Sequence, residues 1–75
     1  MQRFGEKVHA LRIRRGMTVR DLAKALDYAS HSYINDVEHG NRRPSADLVL
    51  KVSLLFGVSA DVFLRDDLEL PPATE

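Results

Sequence analysis

Apolar residues recur along this chain at helical spacing, and no stretch alternates in the manner of a strand. Phe4, Val8 and Leu11 mark one stripe, which predicts a helix over residues 4–15 with Gly16 as its stop. Thr18 is placed to cap a second helix over 19–26, where Val19, Leu22, Ala23 and Leu26 keep the period. Asp21 stands three residues past that cap, a shorter version of the capping box. After a turn at 27–29, Ser30 can cap a third helix in which Tyr33, Ile34 and Val37 share a face. Gly40 ends it in a left-handed turn. Pro44-Ser45 opens a fourth helix to about Phe56; Gly57 stops it, and Ser59 caps a fifth running to roughly Asp67. Five helices with short connections predict an all-α domain over 1–67. The acidic end, 66–75, with Pro71-Pro72 and Ala73-Thr74, is expected to fray; Leu68 and Leu70 are the residues by which part of it could dock.

A chain of 75 residues lies near the lower limit for a self-sufficient core. Such a core rarely supplies more than about 3–5 kcal/mol, so an additional source of stability is expected. There are no cysteines, which excludes disulfides and cysteine-bound zinc and fits a reducing compartment. No apolar run approaches the ~20 residues that span a bilayer, and the first residues lack the apolar core of a signal peptide. The expectation is a cytoplasmic protein. The zero net charge conceals a split: residues 1–45 carry nine Lys/Arg against five acids, and 46–75 carry two against six. A first part at +4 points to an anionic partner, although a solvated face is charged as well.

The third helix carries the most pointed chemistry. Opposite its apolar face it presents His31, Ser32, Asn35, Asp36 and His39, hydrogen-bonding groups with no long aliphatic chain among them. Behind it follows the basic loop Asn41-Arg42-Arg43. No acid-base constellation suggests an enzyme. His9, His31 and His39 are spaced by 22 and 8, which matches no common metal-ligand motif. No metal, cofactor or small-molecule ligand is expected.

The second and third helices, joined by a tight turn, make a helix-turn-helix pattern. Here the sequence resembles the lambda-repressor and Cro-like (XRE-type) family of DNA-binding regulators, from about Phe4 to Leu64. The resemblance is carried by LRIRRGMTVRDLAKAL, SHSYINDVEHGNRRPS and LVLKVSLLFGVSADVFL in that order and spacing. It implies a five-helix lambda-repressor-like fold whose third helix enters the major groove of duplex DNA. By position, His31, Ser32, Asn35 and Asp36 then face bases. Asn can pair with adenine, Asp can accept from cytosine, and Ser can do either. Asp36 repels phosphates, so it is tolerable only if it reads a base or pairs with an arginine. Phosphate contacts fall to Thr18, Arg20, Asn41, Arg42 and Arg43. Arg14 and Arg15 are read as partners of the first helix's dipole. The family ties its first helix to the end of the recognition helix by an ion pair, which here maps to Arg12 and Glu38.

Three features depart from the family pattern. Val19 stands where the family has a phosphate-touching glutamine. The turn before Ser30 is one residue longer, with Tyr28 or Ala29 extra and Asp27 in place of the turn glycine. Leu48, Leu54 and Val62 are apolar where polar residues are common. The fourth helix is apolar nearly all round, so Val49, Val52 and Phe56 are assigned to the core. Leu48, Leu54 and Val62 are assigned to a homodimer interface. The expected function is sequence-specific regulation of transcription, as a bacterial or phage-like repressor acting as a homodimer on a near-palindromic operator, in the cytoplasm on the nucleoid. The alternative is a protein-interaction module, such as an antitoxin-like partner, with weak or no DNA reading.

Overall fold

A computed structural model describes residues 2–72. Five helices follow in order, α1 (Phe4–Arg14), α2 (Val19–Ala25), α3 (Ser32–Glu38), α4 (Ala46–Phe56) and α5 (Ala60–Leu64), with no strand among the described residues. The all-α reading and the order of elements hold. Three helix starts are fixed by side chains. Thr18 Oγ1 accepts from the Asp21 amide while Asp21 accepts from the Thr18 amide, a complete capping box. Ser45 accepts from the Leu48 amide and Ser59 from the Asp61 amide. Ser30 acts one position further out than expected: His31 is the cap residue, and Ser30 Oγ accepts from the Ser32 amide.

Left-handed residues end four of the helices. Gly16, Gly40 and Gly57 do so at no steric cost; Asp27, at φ 62°, does so between α2 and α3. The Asp27 and Tyr28 amides bond back to the Lys24 and Ala23 carbonyls, closing α2 in a Schellman turn. Asp27 therefore does the work of the turn glycine. The fifth helix is shorter than expected, ending at Leu64 rather than near Asp67.

Phe4, Val8, Leu22, Ile34, Val52 and Phe63 form the centre of the core, with the Phe4 and Phe63 rings 5.5 Å apart. Gly5 lets α1 approach the end of α3: a Cβ there would collide with the Val37 carbonyl oxygen and press on Glu38 backbone. Leu48 corrects the surface assignment made above. It is 1% exposed, on the same side of α4 as Val49, Val52 and Phe56, and it offers nothing to a second subunit. The large apolar groups left exposed are Leu50 and Leu54 on the far side of α4, 56% and 73% exposed, Leu64 on α5, and Ile13 on α1. Val62 is half-buried.

Residues 66–71 do not fray. Asp66 accepts from the Gln2 and Arg3 amides, Arg3 pairs with Glu69, Leu70 packs on the core, and Arg14 donates to the Pro71 carbonyl. Ala73-Thr74, read as part of the fraying end, lies with Glu75 outside the described residues. The charge split seen in the sequence is thus partly an internal match, acidic end against α1.

Candidate nucleic-acid interface

Apolar side chains hold α3 from one side only. Ile34 and Val37 are buried and Tyr33 is half-buried, so the helical period turns His31, Ser32 and Asn35 outward. Asp36 is half-exposed beside them. The four positions assigned to base reading therefore share one polar face. Among the described residues, the side chains of His31, Asn35 and Asp36 make no hydrogen bond or ion pair. Among the described residues no arginine pairs with Asp36.

The end of α3 is anchored to α1. Arg12 Nε donates to Glu38 Oε2 at 2.8 Å and Nη2 to Oε1 at 3.0 Å, while Nη1 donates to the Met17 carbonyl at 2.8 Å. One guanidinium thus joins α1, the loop before α2, and the last turn of α3. The ion pair expected from the resemblance is present, and its Glu38 side chain is 2% exposed. Burial alone would push the Glu38 carboxyl up, but hydrogen bonds from Arg12 and then His9 outweigh it and hold the carboxyl below its ordinary range. His9 was no part of the expected pair. Its Nδ1 lies 3.0 Å from Glu38 and 3.1 Å from Arg12, so it donates to the one when protonated and accepts from the other when bare.

Two further cations of the first part are structural. Lys7, 1% exposed, donates from Nζ to the Val62 and Arg65 carbonyls at 2.6 and 3.0 Å and so closes the C-terminus of α5. Arg3 is occupied by Glu6, Glu69 and the Asp66 carbonyl. The sequence did hold a signal for Lys7, which lies between Phe4 and Leu11 on the apolar stripe. Arg14 and Arg15 also have partners of their own, the Pro71 carbonyl and the Phe56 ring.

The cations that remain lie around α2 and α3. Arg20 is exposed on the first turn of α2, and among the described residues it has no partner. At Thr18 the amide is taken by Asp21, leaving the hydroxyl proton to donate outward. Asn41, Arg42 and Arg43 are exposed in the loop after α3. Arg42 stacks over the Tyr33 ring at 5.1 Å, and Arg43 has no carboxylate partner among the described residues. A polar helix face flanked by unpaired cations, on a helix-turn-helix frame, suits a polyanion with readable edges.

Comparison with known proteins agrees. The family described as Helix-turn-helix matches residues 8–63. The chain belongs to the helix-turn-helix family. Its relatives include the HTH-type transcriptional regulator RamB of Mycobacterium tuberculosis, in strains CDC 1551 / Oshkosh and H37Rv. Each is 36% identical over 63 residues, covering 84% of this chain. The chain spans about 13% of the length of RamB. A second relative, from Bacillus subtilis (strain 168), is named as the uncharacterized HTH-type transcriptional regulator YazB. It is 36% identical over 58 residues, covering 77% of this chain and 83% of YazB. These relatives share the helix-turn-helix frame and are named as transcriptional regulators. Among the described residues no helix is long and apolar enough to cross a membrane.

Proposed function

We propose that the protein is a sequence-specific duplex-DNA regulator that reads bases with His31, Ser32, Asn35 and Asp36 on α3. Phosphate contacts come from Thr18, Arg20, Asn41, Arg42 and Arg43. The single observation that carries this reading is the outward polar face of α3, on which the side chains of His31, Asn35 and Asp36 make no hydrogen bond or ion pair among the described residues. Groups that bond nothing in the free protein are available to base edges, and an aspartate with no arginine beside it is best accounted for by a cytosine amino group. The working form is a symmetric homodimer acting as a repressor on a near-palindromic site in the cytoplasm. Leu50, Leu54 and Leu64, with Val62 at the edge, supply the apolar surface that a second copy would cover. A twofold axis there sets two α3 helices roughly 34 Å apart, one turn of duplex.

The test is duplex binding across a salt series. Affinity is expected to fall steeply and linearly on logarithmic axes as phosphate-bound cations are displaced. A protein-interaction module held by Leu50 and Leu54 would show almost no such slope, and that result would replace the DNA reading.

A further inference from the structure

Ser45 ends a largely exposed loop, residues 41–45, that has no regular structure, and its own backbone is extended at φ −79° and ψ 161°. Arg42 and Arg43 stand three and two residues before it. Of the serines and threonines in the chain, Ser45 alone has arginine at both places. An exposed hydroxyl behind two arginines on an irregular loop suits the acidic substrate groove of a protein kinase, which selects its substrates by charge pattern. The same residues meet in space. Ser45, Arg42 and Arg43 line one open notch with Ser30 and Tyr33, and among the described residues lining it none is acidic. Tyr33 joins its two sides: the hydroxyl accepts from the Ser45 amide at 2.9 Å, and the ring carries the Arg42 guanidinium at 5.1 Å. Ser45 Oγ accepts from the Leu48 amide at 3.1 Å, so it faces the donors of the first turn of α4. The acid of that turn, Asp47, is already held by the Tyr28 hydroxyl at 2.9 Å and Lys51 at 3.4 Å. Thr18, exposed three residues after Arg15, differs in this respect. The Asp21 carboxylate lies 2.9 Å from its amide and would repel a second anion there.

Resting on the DNA-binding reading, we propose that Ser45 is a phosphorylation site through which the protein is released from duplex DNA. The Ser45 hydroxyl oxygen attacks the γ-phosphorus of a nucleoside triphosphate held by a protein kinase. The new O–P bond forms as the bond to the β–γ bridging oxygen breaks. The nucleoside diphosphate leaves, and the hydroxyl proton passes to the base of the kinase. The phosphoserine carries a charge of about −1.5 to −2 at pH 7. It stands at the positive end of an 11-residue helix, where an anion is favourable. Beside it are two guanidinium groups whose fixed donors match its oxygens. The fold therefore accepts the phosphate while DNA is refused it: Arg42 and Arg43 are occupied from within, and the added charge repels the strand. The polar face of α3 is left as it was, so the modification acts on affinity and not on sequence preference.

The test has two arms. In the first, the folded protein is incubated with an arginine-directed serine kinase and magnesium–ATP, and the sites are mapped by mass spectrometry. Wild type is compared with Ser45→Ala and with Ser45→Asn, which keeps a capping oxygen. One phosphate is expected, on Ser45 of wild type and on neither variant; no transfer to Ser45, or transfer to Thr18 in its place, overturns the site. In the second arm, the chain is made by chemical ligation with phosphoserine at position 45 and titrated against duplex across a salt series. Affinity should fall on the order of a hundredfold, as for two lost charged contacts, and the salt slope by about 2. The melting temperature should equal or exceed that of the unmodified chain; a lower one would show damage to the fold and overturn the switch. Phosphoserine in the Arg42→Ala, Arg43→Ala background should cost less than about tenfold further, and an equal loss there would remove the arginines from the account. Unchanged duplex binding by the phosphorylated chain overturns the switch alone, whereas an unmodified chain that binds no duplex overturns the DNA reading beneath it.

Discussion

Removing the guanidinium of Arg12 leaves the Glu38 carboxylate buried among α1 and α3 with His9 as its remaining partner. Breaking such a pair typically costs about 3–5 kcal/mol, although the intact pair contributes little net stability. Arg12→Ala and Glu38→Ala are each expected to lower unfolding free energy on that scale, with the double variant losing less than the two added. Denaturant titrations of all four proteins measure the coupling, and strict additivity would remove the pair from the account. The same carboxyl gives a pH dependence. Its folded pKa lies below the unfolded one, so its contribution is fully present above about pH 4.5 and is lost as the pH falls through the lower folded value. Asp66, held down by the Gln2 and Arg3 amides, acts in the same direction. Glu38→Gln should therefore flatten the acid limb of stability against pH, leaving the share carried by Asp66 and by the other carboxyls held down, Asp21, Asp67 and Glu69. Gly5 is a sterner constraint, because the atoms its Cβ would meet are backbone. Gly5→Ala should destabilise by about 1–3 kcal/mol or more, as overpacking does, measured by thermal unfolding.

At the scale of elements, the proposed function divides the work between α3 and the loop behind it. Arg42→Ala with Arg43→Ala should weaken binding to every duplex by a similar factor and reduce the salt slope by about 2, read from filter or anisotropy titrations. Asn35→Ala should leave the slope alone and relax one or two base positions, at about 1–3 kcal/mol of lost discrimination. An unchanged slope in the first case, or an identical recovered motif in the second, would remove that residue from its role. Much of this was legible in the sequence. The period of Ile34 and Val37 put the polar residues of α3 outward, and Gly16, Gly40 and Gly57 marked helix ends because only a left-handed residue closes them. Asp27 was recognisable as a glycine substitute for the same reason. What was hidden depended on contacts between distant segments. Leu48 and Leu54 are both leucines on one apolar helix, and only the placement of α4 against the core decides which is buried. The place of Lys7 on the apolar stripe was visible, but its acceptors, the Val62 and Arg65 carbonyls, lie more than fifty residues away and were not.

The whole molecule exposes a polar face on α3 and apolar side chains on α4 and α5. Residues 66–71 fold back on α1, so the acidic end neutralises Arg3 and leaves Arg20, Arg42 and Arg43 as the cations presented around α3. Leu50 and Leu54 stand on the side of α4 away from the core, and together with Leu64 they favour a second copy as cover. Leu54→Glu should shift sedimentation toward monomer by burying a charge at the proposed contact, without loss of helical signal; unchanged association would move the interface elsewhere. A dimer would also explain how so small a core holds its fold, since association adds stability that grows with concentration. The most direct measurement of the central claim is selection of bound sequences from a random duplex library, at one stated salt concentration, with wild type and Asn35→Ala side by side. Wild type is expected to enrich a short motif, repeated in inverted orientation with half-sites about one helical turn apart, and the variant to alter it at one or two positions. Recovery of no enriched sequence, or of the same motif from both proteins, would contradict that claim.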